Sequence, residues 1–252
     1  MTRIALVSAM HEELAAVLAR MPDEHKTVVA GREFWLGHWH GHEVVAVLSR
    51  IGKVAAATTA TVLIERFGVN RMVFTGVAGG LAPHVQVGDV VVAQDFIQHD
   101  MDASPLFPRY EVPLTGHARF AADPQLSQAL YVAAQAALQD VVQTLPRSEW
   151  IGLNLGAAQV HQGLVASGDR FVSRTEESAL LRSQLPEALA VEMECAAMAQ
   201  VCADYGVPLA AVRSISDRAD DAAHVDFGRY IQSIASRFSV SVLDHLLADL
   251  SA

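Results

Sequence analysis

Short runs rich in β-branched residues alternate along this chain with Ala- and Leu-rich segments of helical spacing. Residues 3–7 form the first predicted strand, and residues 12–20 follow as a helix with Leu14, Val17 and Leu18 on one side. Such alternation is typical of an α/β domain with a largely parallel sheet. We therefore expect a three-layer α/β/α domain around a central, twisted, mixed and largely parallel sheet.

The same periodicities predict the remaining elements. Further strands are expected at 34–39, 43–48, 71–75, 89–96, 163–166, 189–191 and 208–213, and further helices at 53–67, 123–140, 194–205 and 227–250. Because no linker, repeat or composition shift interrupts them, residues 1–252 are predicted to form one domain. The irregular stretches 98–120 and 144–159 are long enough to serve a site or an interface. The role of 144–159 stays open.

Composition limits the partners of the chain. It carries 18 Lys and Arg against 28 Asp and Glu, a formal net charge of −10, so nucleic acid and acidic membranes are not expected partners. Although 52% of the residues are hydrophobic, no apolar run approaches the length of a membrane span. We expect the apolar surplus to enter a doubly covered sheet or a subunit interface. The N-terminal segment does not fit a signal peptide and two cysteines exclude a disulfide framework, which predicts a cytoplasmic protein.

Polar residues follow several of the predicted strands. Ligands of an open parallel sheet bind beyond the carboxyl ends of its strands, so these segments are expected to meet. They are AMHEE at 9–13, GVAGG at 76–80, SGDRF at 167–171, EME at 192–194 and RSISD at 213–217. Considered alone, GVAGG fits neither phosphate-binding nor dinucleotide-binding patterns and is predicted as a tight strand-to-helix turn. Together, the segments indicate an acid/base site for a neutral or weakly polar substrate.

The strongest local signal is AVEMECAA at 190–197, which places two carboxylates where a buried strand becomes an alanine-rich helix. Burial there is costly unless the carboxylates bind a ligand or a partner group. With AMHEE, SRIGKVAA, TGVAGG, VGDVVV, SGDRFV and RSISDRAD in this order, the chain resembles the nucleoside phosphorylase superfamily. Within it, the chain is most similar to the bacterial 5′-methylthioadenosine/S-adenosylhomocysteine nucleosidases, from Ile4 to about Leu247 apart from extra residues around 144–159.

The resemblance implies a nucleoside phosphorylase-like fold and hydrolysis of the N-glycosidic bond of an adenine nucleoside, without a cofactor or a metal. It assigns Asp217 as the general acid at purine N7 and Glu13 as the carboxylate that activates water. Asp217 needs a raised pKa to carry a proton near neutrality, so we predict that Arg218 faces solvent. Glu194 is expected to accept hydrogen bonds from both ribose hydroxyls.

The resemblance also implies the other substrate contacts. Phe171 is expected to stack on adenine, with the backbone of Val172 at the N1/N6 edge, and Arg213 is expected to orient the water. The remaining predicted contacts are Met193 at the sugar, Ser216 beside the Asp217 loop, Phe227 over the ligand, and Ala9, Ile51, Val77, Ala78, Gly79 and Glu192.

At three places in the sequence, the chain departs from relatives within the superfamily. Val77 stands where some relatives carry a serine that could touch the water or ribose, and Arg50 replaces a frequent glycine, either as a surface residue or at the edge of the site. Phosphorylases hold phosphate with an arginine just before the glycine-rich segment, where this chain has Phe74-Thr75. The resemblance therefore favours hydrolysis over phosphorolysis.

A homodimer is expected, because the segment 99–113 matches a region that reaches across the interface in dimeric relatives. Its candidates for walling the partner's 5′ pocket are Leu106, Phe107 and Pro113. His38, His40 and His42 alternate as on one strand face, which permits a metal in principle, but we expect none.

Alternatives to the adenine-nucleoside hydrolase remain open at this point. The same hydrolysis could act on aminodeoxyfutalosine in menaquinone synthesis, and a purine nucleoside phosphorylase is the next candidate. A non-catalytic nucleoside-binding or storage protein is the alternative from another class. Glu13, Glu194 and Asp217 together speak against storage, and the preferred 5′ substituent cannot be ranked from the sequence.

Overall fold

The computed structural model describes residues 2–144, 158–230 and 234–250. Its strands are β1 Arg3–Ser8, β2 His25–Val29, β3 Arg32–Trp39, β4 His42–Leu48, β5 Arg71–Gly80, β6 Val90–Gln98, β7 Arg119–Ala121, β8 Val160–Ser167, β9 Ala188–Glu192 and β10 Leu209–Asp217. Its helices are α1 His11–Leu18, α2 Lys53–Phe67, α3 Pro124–Thr144, α4 Thr175–Gln184, α5 Cys195–Tyr205, α6 Ala223–Tyr230 and α7 Ser236–Asp249. Most of the 144–159 stretch lies outside the described residues.

One mixed sheet contains these strands in the order β10-β6-β8-β9-β5-β1-β4-β3-β2, with β7 beside β6. The pairs β1–β4, β1–β5, β5–β10, β6–β8 and β8–β9 are parallel. Since β5 also pairs with β9 and β10 also pairs with β6, the strands β5, β10, β6, β8 and β9 close into a ring. The long strand β5 therefore joins the open sheet to this ring.

Helices cover both faces of the sheet. Successive residues of β1 point to opposite layers, as expected of a strand that is buried on both sides. Ile4 and Leu6 pack with α1, α3 and α7, whereas Ala5 and Val7 pack with α2 and α5. The predicted three-layer α/β/α arrangement with a mixed sheet is confirmed, while the single-domain boundary stays a prediction.

The glycine-rich segment is not a turn, contrary to the prediction. Residues 76–80 continue β5 in extended form, paired with β10 and then with β9. Gly76 is glycine because of a close approach: a Cβ atom there would lie 3.0 Å from the Arg213 guanidinium and 3.1 Å from Ala9. The glycines of this segment make room for neighbouring side chains rather than for a change of chain direction.

The predicted helix at 227–250 is two helices, α6 and α7, with residues 231–233 outside the described part of the chain. Phe227, Tyr230, Ile234 and Phe238 keep a helical spacing across this region, so periodicity alone gives no sign of two helices. The strands β2 and β7 and the helix α4 were not predicted. Most of β2 is exposed and shows no apolar alternation, and β7 is only three residues long.

The three histidines of the hairpin do not share a strand face, so that prediction is wrong. His40 and Gly41 both have positive φ and form the turn, and His42 already belongs to β4. His38 pairs with Asp23, whereas His40 pairs with Asp244 of α7. Within residues 2–144, 158–230 and 234–250, no three His, Cys, Asp or Glu side chains group as metal ligands would. Within the same ranges, no helix is both long enough and apolar enough to cross a membrane.

Candidate active site

A cavity that opens to solvent lies where β1, β5, β9 and β10 end. Most of the predicted substrate contacts line it, as expected if ligands bind beyond the carboxyl ends of the strands. The predicted residues in its wall are Ala9, Ile51, Val77, Ala78, Gly79, Phe171, Val172, Glu192, Met193, Glu194, Ser216, Asp217 and Phe227. Sequence reasoning missed Met10, Arg170 and Val191, which also line it. All three lie within the segments AMHEE, SGDRF and AVEMECAA, and that position is the signal that could have found them.

Asp217 ends β10 with a buried carboxyl group in the cavity wall. Ser216 Oγ donates to Oδ2 at 2.8 Å, and the backbone N–H of Ala219 donates to Oδ1 at 2.8 Å. A Cβ atom on Gly79 would lie 2.9 Å from Oδ1, so any larger residue would push the carboxyl away. The glycine in β5 therefore permits Asp217 to reach the cavity.

Arg218 does not face solvent as predicted. It is half-buried and Nη1 donates to the carbonyl oxygen of Ala82 at 3.4 Å. Burial lowers the pKa of Arg218 below its ordinary value. The residue is nevertheless absent from the cavity lining of the described chain, so its guanidinium does not border the space in front of Asp217.

Glu13 is fully buried and does not line the cavity, although its neighbours Ala9 and Met10 do. Its Oε1 accepts a hydrogen bond from Ser239 Oγ at 2.6 Å, and its Oε2 accepts one from the N–H of Met10 at 3.1 Å. Burial raises the pKa of Glu13, and the Ser239 hydrogen bond and the charge of Arg213 oppose the rise. The carboxyl group of Glu13 therefore lies behind the residues that line the cavity.

Arg213 and Glu192 form a buried ion pair, with Nη2 to Oε2 at 3.0 Å. Arg213 Nη1 donates to the carbonyl oxygens of Phe74 and Val212, each at 3.2 Å. Its Nε is buried and has no hydrogen-bond partner among the residues that the structure describes. Arg213 was predicted to contact the water, and it too lies outside the cavity lining.

Glu192 was predicted to contact substrate, but its carboxylate is already hydrogen-bonded to groups of the protein. Besides Arg213, it accepts hydrogen bonds from the hydroxyl of Ser167 and from the N–H groups of Glu194 and Cys195 at 3.0 to 3.1 Å. The negative charge therefore sits at the N-terminus of α5, which favours anions. Glu192 fixes the start of α5, and with it the position of Glu194.

Glu194 keeps acceptor capacity for a ligand. It is buried, lines the cavity, and accepts one hydrogen bond at Oε1 from the N–H of Gly52 at 2.8 Å. Burial raises the pKa of Glu194 to about 7, and the nearby charge of Glu192 adds to the rise. An ionised carboxylate has about four acceptor positions, enough for two vicinal hydroxyls besides this bond.

The start of α2, which supplies the Gly52 N–H, is fastened by acidic side chains from other loops. Asp169 Oδ1 accepts from the N–H of Lys53 at 2.8 Å, and Asp100 Oδ1 accepts from Lys53 Nζ at 2.6 Å. Asp100 Oδ2 also accepts from the N–H of Asp169 at 2.8 Å. These bonds from the loops after β6 and β8 fix the start of α2, and with it the Gly52 N–H that donates to Glu194.

Phe171 and Phe227 form an apolar corner of the cavity, with ring centroids 5.7 Å apart and planes at 73°. Phe171 is 39% exposed, so part of its ring remains available to a ligand. Arg50 instead points away, since its guanidinium donates to the carbonyl oxygen of Gly31. Arg50 is therefore a surface residue rather than a residue at the edge of the site.

The predicted pocket wall from 99–113 does not line the cavity of its own chain. Leu106 is 84% exposed, and Phe107 and Pro113 are half-buried. Their assignment to a partner's pocket stays a prediction.

The family model of the phosphorylase superfamily matches residues 3–248. The chain belongs to the phosphorylase superfamily. Among superfamily members, it is 36% identical to the 5′-methylthioadenosine/S-adenosylhomocysteine nucleosidase of Geobacillus thermodenitrificans (strain NG80-2), over 97% of this chain and 96% of that protein. The predicted resemblance to these nucleosidases and the nucleoside phosphorylase-like fold are confirmed.

Two solved structures of the superfamily align with nearly the whole chain. The Neisseria meningitidis 5′-methylthioadenosine/S-adenosylhomocysteine nucleosidase, in complex with methylthio-immucillin-A, gives a TM-score of 0.86 at 32% identity, over 99% of this chain and all of that chain. The futalosine hydrolase of Helicobacter pylori strain 26695 gives 0.84 at 31% identity, over 99% and 98% of the two chains.

The raised pKa of Glu194 predicts a pH-dependent stability. A carboxyl that titrates near 7 when folded, against 4.5 ordinarily, opposes folding increasingly as pH rises from 4.5 to 7. Glu194→Gln should therefore gain stability over the native chain by an amount that grows through this window to on the order of 1–3 kcal/mol and then levels off. Denaturant unfolding at pH 5, 6, 7 and 8 measures it.

Glu176→Gln is the matched control, because Glu176 is an exposed acid in the first turn of α4. Its stability difference from the native chain should stay nearly constant over the same pH range. A Glu194→Gln difference that is equally flat would contradict the burial of an ionisable group at this position.

Proposed function

We propose that this chain hydrolyses the N-glycosidic bond of 5′-substituted adenine nucleosides, such as 5′-methylthioadenosine and S-adenosylhomocysteine, to adenine and the substituted ribose. The observation that carries the proposal is the convergence of Asp217, Glu194 and the Phe171 ring on one cavity, with Glu13 bonded just behind its wall. The names of the aligned nucleosidases support the same activity.

Asp217 acts as the general acid in this proposal. Its proton goes to purine N7 while the C1′–N9 electron pair moves into the purine, so adenine leaves as a neutral molecule. Ser216 and the Ala219 N–H orient the carboxyl group, and Gly79 leaves it room. Phe171 supplies a ring against which the departing base stacks.

Glu13 and Arg213 handle the water. One proton of the water passes to Glu13 as its oxygen bonds to C1′. The buried Arg213 Nε, without a partner among the described residues, is a donor suited to hold that water. Neither side chain lines the cavity, and in this proposal both bind the water rather than the nucleoside.

Glu194 binds the ribose. It accepts hydrogen bonds from the 2′ and 3′ hydroxyls, and its negative charge stabilises the positive charge that the sugar gains in the transition state. Met193, which also lines the cavity, gives the sugar an apolar surface.

The charges around the cavity support water over phosphate as the nucleophile. Glu192 and Glu194 line it, and their ionised carboxylates repel a phosphate dianion. Arg170 is the arginine in the described lining, and it is ion-paired with Glu177. Where phosphorylases hold phosphate with an arginine, this chain has Phe74-Thr75, and the centroid of the Phe74 ring lies 4.1 Å from the Arg213 guanidinium.

The alignment with a futalosine hydrolase supports aminodeoxyfutalosine as a second candidate substrate. Aminodeoxyfutalosine shares adenine and ribose with the other candidates and differs at the 5′ group. Rates of adenine release from 5′-methylthioadenosine, S-adenosylhomocysteine and aminodeoxyfutalosine show which of the three substrates the chain prefers.

Product analysis with and without phosphate tests the reaction class. We expect adenine and free substituted ribose at rates that inorganic phosphate does not change. A sugar 1-phosphate product would make the chain a phosphorylase, and binding without release of adenine would make it a binding protein.

Asp217→Asn should lower kcat by roughly 10²- to 10⁴-fold, because the amide cannot donate an acidic proton to N7. Asp221→Asn in the following loop is the control, since that side chain is exposed and bonds to Thr175. Steady-state kinetics on 5′-methylthioadenosine give the comparison, with circular dichroism to verify folding. Near-normal turnover of Asp217→Asn would remove Asp217 from the acid role.

We propose further that two copies form a homodimer in which Leu106, Phe107 and Pro113 wall the partner's 5′ pocket. Exposed apolar side chains support this: Ile51 is 69% exposed while lining the cavity, and Val54 in the first turn of α2 is 78% exposed. Lys53 between them is bonded to Asp100, so the segment that carries Leu106 begins beside this surface.

Leu106→Asp should weaken the dimer and raise KM for 5′-methylthioadenosine several-fold, because a charge would enter a buried apolar interface. Val132→Asp is the control, as Val132 is exposed on α3, on the opposite face of the sheet from α2. Analytical ultracentrifugation and kinetics measure both. An unchanged dimer with unchanged KM would contradict the assignment.

A further inference from the structure

We propose that Ser239 is a positioning residue of this reaction, which holds Glu13 in place as the ionised acceptor of the water proton. The inference rests on the proposed function and extends it to the C-terminal helix α7. Ser239 Oγ donates to Glu13 Oε1 at 2.6 Å across 226 residues of chain, and both residues are buried. A distance this short is typical of a hydroxyl that bonds to a charged oxygen.

Both ends of this hydrogen bond are fixed by packing. Leu14 and Val17 of α1 enter the same core cluster as Phe238 and Val242 of α7. Glu13 and Ser239 adjoin these anchors in sequence, so neither side chain can move away without disturbing the core. The N–H of Met10 holds the other carboxylate oxygen.

The electrostatic surroundings of Glu13 show what Ser239 contributes. Burial favours the neutral acid and raises the pKa of Glu13; of the groups that oppose this, the Ser239 hydrogen bond acts most strongly, followed by the charge of Arg213 from β10. Tyr230 of α6 also faces Glu13, but burial raises the pKa of its hydroxyl, so it stays neutral. Arg213 is already bonded to Glu192.

The chemical consequence concerns the proton. A neutral Glu13 cannot take the proton that the water releases as its oxygen bonds to C1′, whereas an ionised Glu13 can. Ser239 donates to the ionised form and so keeps that form populated at lower pH. Ser239 does not line the cavity, and in this proposal it acts only through Glu13.

Ser239→Ala tests this role in the full chain. We expect the acidic limb of the kcat/KM profile for 5′-methylthioadenosine to move up by about one pH unit, with about a tenfold loss below the limb and recovery above it. Ser241→Ala is the control, because Ser241 lies on the same helix, is half-buried and bonds only weakly to Asp140 at 3.3 Å.

A double-mutant cycle with Glu13→Gln separates positioning from general stability. If Ser239 acts through Glu13, Ser239→Ala should cost little further activity in the Glu13→Gln chain. Equal fold-losses in both backgrounds, or an unshifted acidic limb, would overturn the proposal and leave Ser239 a packing residue.

A readout independent of turnover keeps the two proposals distinct. The carboxyl ¹³C shift of labelled glutamate follows the ionisation of Glu13, identified by its loss in Glu13→Gln. A higher pKa in Ser239→Ala than in the native chain supports the inference, and an equal pKa overturns it. Failure of the native chain to release adenine would instead refute the proposed function.

Discussion

The buried ion pair between Arg213 and Glu192 is the interaction on which the rest of the site depends. Two charges taken out of water are tolerated when each has several further hydrogen bonds. Arg213 also bonds to the carbonyls of Phe74 and Val212, and Glu192 accepts from Ser167 and from the first N–H groups of α5. The pair thus joins β10, β9, β5, β8 and the start of α5 at one point.

Three carboxylates experience the charge of this one arginine. Glu192 is bonded to Arg213, and the same positive charge acts on Glu13 and Glu194. Burial nevertheless raises the pKa of both Glu13 and Glu194, because the loss of solvation outweighs the attraction of Arg213, and for Glu194 the charge of Glu192 adds to the rise. In the proposed reaction the ribose becomes the second cation, so the site is complementary in charge to the transition state rather than to the neutral substrate.

The sequence predicted the fold class and most of the cavity because both follow from strand ends. Polar residues placed after a buried strand must meet at one edge of the sheet, and this brought Asp217, Glu194 and Met193 together. The residues behind the wall were harder to place. Periodicity puts Glu13 in the first turn of a helix, but only the packed helix α7 shows that its partner is Ser239.

Close approaches were equally hidden from the sequence. GVAGG has the composition of a turn, and only the neighbouring Asp217 and Arg213 explain why glycines occur within a continuous strand. The exposed strand β2 was missed for a related reason, since a strand at a sheet edge lacks the apolar pattern that identifies buried ones.

The contact between Glu13 and Ser239 also bears on how the protein is made. Chains leave the ribosome from their N-terminus, and domains begin to fold as their residues emerge. The helix α1 is available early, but the hydroxyl that completes its carboxylate is synthesised 226 residues later. A nascent chain can therefore assemble much of its sheet before Glu13 acquires its Ser239 partner, and the activity that depends on this hydrogen bond at acidic pH would arrive only with the closing helix.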